Sequence, residues 1–208
     1  QALALYPSLK HMLAEAKDPL ETAVRLAIAG NVIDFGANPD FQLEQDIQEV
    51  LQKEPAIHHY QAFKEKLARA RDILYLGDNA GETVFDRLLI ETTGKPVTFV
   101  VRQRPIINDA TMKDALSSGL GEVATIVSSG CVAPGTVLGG CSEPFLAHLD
   151  KADLIISKGQ GNYETLSQEK RPIFFLLKAK CPVIAHRVGC DLGEALFFAP
   201  PAATGSPT

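Results

Sequence analysis

Ile73-Leu74-Tyr75-Leu76-Gly77-Asp78-Asn79-Ala80-Gly81-Glu82 (residues 73–82) is the stretch on which the fold turns. Four consecutive apolar residues between Asp72 and Gly77 form a short run with the uniform character of a strand buried on both faces of a parallel sheet. A polar, turn-forming segment follows. A helical pattern then carries Val84, Phe85, Leu88 and Leu89 on one face and closes at Gly94. Strand, polar loop and helix make the opening of a βαβ unit.

Toward the C-terminus the pattern repeats. Residues 96–101 read as a second strand, and a helix around 110–118 ends at Gly119. Residues 123–127 are a third strand, 143–151 a helix, 154–156 a fourth strand and 163–169 a short helix. Residues 173–177 are a fifth strand, with 183–185 as a sixth. Such alternation predicts helices around a mainly parallel, Rossmann-like sheet, with the strand C-termini on one common edge. Toward the N-terminus, residues 1–71 read as helical. Asp18-Pro19 is a helix start, further helices cover 43–53 and 58–70, and Gly36-Ala37-Asn38-Pro39 is a turn cluster. Asn31 and Asp34 are polar residues in an otherwise apolar stretch. The expected organisation is a helical region over 1–71, an α/β domain over 72–198 and a flexible tail over 199–208. Gln1 opens directly into apolar residues without a basic segment or cleavage site, so a preceding segment is expected to be missing and a secretory signal is not supported.

Composition narrows the function classes. The chain has 208 residues, 46% hydrophobic and 22% charged, with a net charge of -5. It suits a soluble globular protein with one substantial core. No basic patch supports nucleic-acid binding, and no apolar run approaches the ~20 residues needed to span a bilayer. Cys131, Cys141, Cys181 and Cys190 form no CxxC pair and read as reduced thiols of a cytoplasmic protein. Oligomeric state is not legible.

The chemistry gathers just past the strand ends, where ligands of open α/β sheets bind. Those segments are Gly77-Asp78-Asn79-Ala80-Gly81-Glu82, Asn108-Asp109-Ala110-Thr111, Ser128-Ser129-Gly130, Ser157-Lys158-Gly159-Gln160-Gly161-Asn162 and Lys178-Ala179-Lys180. Alone, Asp78-Asn79 reads as a turn and helix cap, and Asp109 as a cap of the following helix. Together they are two carboxylates and a carboxamide from adjacent strand ends. That all-oxygen set suits a hard divalent ion such as Mg²⁺ or Mn²⁺. Ser129 and the glycines at 130, 135, 139 and 140 are ordinary loop residues or an anion nest. Lys158 and Lys180 read equally as surface lysines or as counter-charges for a phosphate. His58, His59, His148 and His186 lack ligand spacing. A haloacid-dehalogenase nucleophile pair is absent because Ala80 stands two residues after Asp78; no GxxxxGK[ST] or GxGxxG motif occurs at the strand ends.

Five blocks in order resemble the damage-control phosphatase family: AGNVIDFG at 29–36, GDNAGE at 77–82, RQRPIINDAT at 102–111, SKGQGNYE at 157–164 and LLKAKCPVIA at 176–185. The later block is closest to the stand-alone prokaryotic branch. The resemblance implies a three-layer α/β/α sandwich with a helical region, and metal-dependent hydrolysis of phosphomonoesters of small metabolites such as sugar phosphates. It implies Asp78, Asn79 and Asp109 as ligands of Mn²⁺, Mg²⁺, Co²⁺ or Ni²⁺, with Asp78 or Asp109 orienting water or attacking directly. It also implies Glu82 and Lys180 as substrate contacts, with Lys158 and Asn162 near the phosphate; Asn108 and Ser129 lie at the same strand ends. The role of Asn31 and Asp34 stays open. Two other readings stand beside it: an S-adenosylmethionine-dependent methyltransferase, and a non-catalytic module binding phosphorylated metabolites.

Overall fold

The computed structural model describes residues 2–32 and 43–200; Asp34, the turn cluster at 36–39 and the tail residues 201–208 lie outside them. Three helices, α1 (Ala2–Glu15), α2 (Pro19–Val32) and α3 (Leu43–Gln52), precede β1 (Ile57–His58) and α4 (Tyr60–Arg69). There follow β2 (Ile73–Leu76), α5 (Thr83–Thr93), β3 (Val97–Val101), α6 (Met112–Ser117) and β4 (Thr125–Ser128). The chain continues through α7 (Glu143–Lys151), β5 (Leu154–Lys158), α8 (Gln160–Leu166), β6 (Ile173–Lys178), α9 (Pro182–Val188) and β7 (Ala195–Phe198).

Among the described residues the strands form one sheet in the order β1-β7-β6-β5-β2-β3-β4. All neighbours are parallel except β6 and β7. The fold is therefore a mainly parallel α/β sandwich, as the alternation of strands and helices predicts. Three local expectations fail. Residues 183–185 are helical: Pro182 takes the first helical position and Gly189 closes the helix in the left-handed region, so a three-residue apolar run is one face of α9. The last strand lies instead at 195–198, antiparallel to β6. Within the stretch read as helical, Ile57 and His58 pair with Leu196 and Phe197 and add an edge strand.

The pleat sorts side chains strictly by parity. Ile73, Tyr75, Phe99, Leu154, Ile156, Phe174 and Leu176 enter one core with α1, α2, α4 and α5. Leu74, Leu76, Val100, Ile155, Phe175 and Leu177 enter the other with α7, α8 and α9. Both faces are covered, which explains strands without polar alternation. Gly30 lies against the Phe85 ring, where an added Cβ would be 3.1 Å away. That close approach brings the end of α2, with Asn31, to the polar edge of the sheet.

Candidate active site

Strand order reverses beside β2: β3 and β4 lie on one side, β5 and β6 on the other. This switch point opens a crevice beyond the strand C-termini. The segments after β2 and β3 join directly there. Asn79 and Asp109 form an antiparallel bridge. Ala80 N donates to Asn108 O at 2.8 Å and Ala110 N to Asp78 O at 2.7 Å. From β5, Gly159 closes the third side. Its φ is +81°, and a Cβ would stand 1.9 Å from Asp78 Oδ2, so any side chain here would be strained and would displace the Asp78 carboxylate. The turn into Asp109 carries backbone strain. Ile107, 88% exposed, has φ +51°, a conformation that costs an L-residue roughly 1–2 kcal/mol.

One hydrogen-bonded cluster runs from the crevice into the protein. Asp78 Oδ2 accepts from Asn31 Nδ2 at 3.1 Å and Asn79 Nδ2 at 3.3 Å. The same two amides donate to Glu82 Oε1 at 2.8 and 2.6 Å. Lys158 Nζ lies 2.7 Å from Glu82 Oε2 and 2.7 Å from Asp86 Oδ1. Tyr75 donates to that Asp86 oxygen at 2.7 Å. On the other flank, Arg102 Nε donates to Asp109 Oδ2 at 2.7 Å, while its terminal nitrogens reach Thr136 Oγ1 at 3.1 Å and Asn162 Oδ1 at 2.9 Å. Asn162 Nδ2 in turn holds Gly77 O at 3.2 Å and Lys158 O at 2.9 Å.

Charge is unevenly matched here. Asp78, Glu82, Asp86 and Asp109 face Lys158 and Arg102, so with every acid ionised two negative charges are left over among the described residues. Burial, then the charges of Glu82 and Asp109, push the Asp78 carboxyl up to about 8. Burial lifts Asp86 to about 6, with Lys158 opposing and Glu82 adding to the rise. For Lys158, burial works against the charge, but Asp86 and Glu82 outweigh it and hold the ammonium above its usual range.

The residues marked in the sequence divide by exposure. Asp78, Asn79 and Asp109 meet at the crevice. Glu82, Ser129, Lys158 and Asn162 are there too but fully buried, with their polar groups on protein partners. Ser129 Oγ accepts from Cys131 N at 3.2 Å. The Lys158 ammonium is therefore turned to acids within the protein. Asn108 and Lys180 are exposed at the rim, and Lys180 N donates to Gln160 Oε1 at 2.8 Å. Three residues that sequence reasoning passed over complete the cluster: Tyr75, Asp86 and Arg102. Asp86 was the most findable. It follows Glu82 by four residues, so both carboxylates lie on one side of the helix.

The chain is thus an α/β protein with an acid cluster at the switch point of its sheet. Residues 1–196 match the family model described as the damage-control phosphatase ARMT1-like domain. The chain is 43% identical over 180 residues to damage-control phosphatase PH1575 of Pyrococcus horikoshii, covering 83% of this chain and 62% of that protein. It is 40% identical over 189 residues to an uncharacterized protein, MJ0202, of Methanocaldococcus jannaschii, covering 86% and 62%. With a damage-control phosphatase of Archaeoglobus fulgidus it shares 35% identity over 202 residues, covering 93% and 69%. The crystal structure of a DUF89 family protein, PH1575 of Pyrococcus horikoshii, superposes with a TM-score of 0.87 at 38% identity, covering 96% of this chain and 71% of that one. The chain belongs to the damage-control phosphatase ARMT1-like domain family. It spans 62% of the length of two of these relatives.

Proposed function

We propose that this chain carries a divalent-cation-dependent phosphatase site for phosphomonoesters of small metabolites, sugar phosphates among them. One observation carries the reading: four clustered carboxylates face only two cationic side chains at the switch point of a damage-control phosphatase fold, and burial and the crowding push Asp78 up to about 8. The residues fit a cation. No hydrogen bond from a described residue reaches Asp78 Oδ1, Asn79 Oδ1 or Asp109 Oδ1, although the second oxygens of both acids are engaged. No three His, Cys, Asp or Glu side chains among the described residues form a ready cluster; the third ligand in this reading is the Asn79 carboxamide. The all-oxygen set suits Mg²⁺ or Mn²⁺, with Co²⁺ and Ni²⁺ also admitted.

Bound there, a divalent cation would draw off the negative charge that develops on the phosphate oxygens. The chain's own residues do the rest. Asp78 and Asp109, held by Asn31 and Arg102, are placed to orient an attacking water or to attack directly. Asn108 and Lys180, exposed at the rim, supply a donor and a positive charge to the phosphate. Lys158 contributes its charge through Glu82. The four cysteines are free thiols, which accords with a reducing cytoplasmic compartment. Among the described residues no helix is long and apolar enough to cross a membrane.

The test is phosphate release from an aryl phosphate and a sugar-phosphate panel, using EDTA-stripped protein with each divalent ion added back. Metal-restored release that vanishes in Asp78→Ala supports the reading. Folded protein that releases no phosphate with any ion would sink it and leave phosphometabolite binding or methyl transfer.

A further inference from the structure

Lys158 ends β5, and its parity with Leu154 and Ile156 sets it on the face that α5 covers. It meets there not one acid but two. Glu82 and Asp86 stand one helical turn apart, and the ammonium bridges them at 2.7 Å each, all three side chains shut off from solvent. Asp86 is itself tied to the sheet, because Tyr75, on the same face of β2, donates to the oxygen that Lys158 uses. The ammonium cannot follow a swinging Glu82 without giving up Asp86.

What Glu82 does with its other oxygen gives this tether a purpose. Glu82 Oε1 takes the amide nitrogens of both Asn79 and Asn31. An amide whose NH₂ is committed inward must present its carbonyl oxygen elsewhere. For Asn31 that oxygen accepts from Lys178 N at 3.1 Å, pinning the end of β6. For Asn79 it meets no donor among the described residues and is left to the crevice.

Resting on the reading of Asp78, Asn79 and Asp109 as cation ligands, we infer that Asp86 is a positioning residue for that site. It shares the Lys158 ammonium with Glu82 and so holds the Glu82 carboxylate where it turns the Asn79 carbonyl oxygen toward the cation. Lys158 is then the middle of a relay, Tyr75–Asp86–Lys158–Glu82–Asn79, and not a group that touches substrate. Outer partners of this kind orient metal ligands, and losing one costs about 10–100-fold in metal affinity.

The experiment is Mn²⁺ titration by calorimetry on the full chain, comparing wild type, Asp86→Asn and Tyr75→Phe. Asparagine preserves size and an acceptor for Lys158 and Tyr75 while removing the charge. The Mn²⁺ Kd is expected to rise about 10–100-fold in Asp86→Asn. In Tyr75→Phe it should rise roughly 2–10-fold, the worth of one hydrogen bond. The Asn79 side-chain amide resonances should move in both variants before any ion is added, a signal that a purely structural role would leave in place. A folded Asp86→Asn that binds Mn²⁺ as tightly as wild type overturns the inference. Should that variant not fold, an unchanged Kd in Tyr75→Phe overturns it. Wild-type protein that binds no divalent ion removes the cation site itself, and this inference with it. Wild-type binding with unaltered variants removes the inference alone.

Discussion

Asp78→Asn should stabilise the cation-free protein at alkaline pH while destroying its function. Asp78 has its carboxyl raised to about 8 by burial and by Glu82 and Asp109, whereas an unfolded aspartate titrates at ~3.9. Between those values the folded chain keeps a proton that the unfolded chain has released, so stability falls as pH rises through this window. Every pH unit that separates the folded from the unfolded carboxyl is worth about 1.4 kcal/mol, giving a ceiling of about 6 kcal/mol. Because the charge is shared with Glu82, about 2–4 kcal/mol is the working expectation. Asp86, raised to about 6, contributes a decline of the same sign, complete by about that pH and present in both proteins. That shared decline cancels, so the difference between wild type and Asp78→Asn grows from about pH 4 to about pH 8, and above pH 6 it is the only one of the two slopes left. Urea unfolding in EDTA at half-unit steps from pH 5 to 9 measures it. The variant should be flat above pH 6 and, at pH 8, more stable by about 2–4 kcal/mol. That corresponds to roughly 5–15 °C in Tm for a chain of this size. Adding Mn²⁺ should close the gap from the wild-type side, because a ligand of the folded state stabilises it by mass action. Equal slopes in the two proteins between pH 6 and 8 would refute the claim that Asp78 sits in an uncompensated acid cluster.

Two further substitutions probe the walls of the site. Gly159→Ala would place a Cβ against the Asp78 carboxylate at a left-handed backbone position; it should cost about 1–3 kcal/mol and displace Asp78. Thermal midpoint and Mn²⁺-dependent phosphate release should fall together. Arg102→Met leaves Asp109 without its 2.7 Å partner and removes one donor each from Thr136 and Asn162, which keep their own 2.8 Å bond; breaking such a buried pair costs about 3–5 kcal/mol. Denaturant unfolding reads it, and a loss below 1 kcal/mol, about the worth of one exposed pair, would mean that Asp109 is served by solvent instead.

Sequence alone determined the parallel core of the molecule. The strands β2, β3, β5 and β6 are short, mostly apolar runs bounded by turn residues, and a strand buried on both faces leaves that mark whatever its neighbours. The segments beyond them were equally legible, since Asp78, Asn79, Asp109 and Lys158 need only follow a strand to reach its C-terminal edge. Strand order was not, because Ile73–Leu76 carries no trace that β3 and β5 flank it on either side. Neither was β7: Ala195–Phe198 and Val183–Ala185 are both short apolar runs, and only the pairing with β6 and β1 makes one a strand. Tertiary structure also decided what Lys158 does. A lysine at a strand end beside glycines reads as a phosphate ligand until parity sends it to the α5 face, where two acids and a tyrosine from 72 to 83 residues earlier in the chain surround it. Local sequence specifies periodicity and chain direction. Which charges neutralise one another is set by burial, and burial belongs to the assembled core.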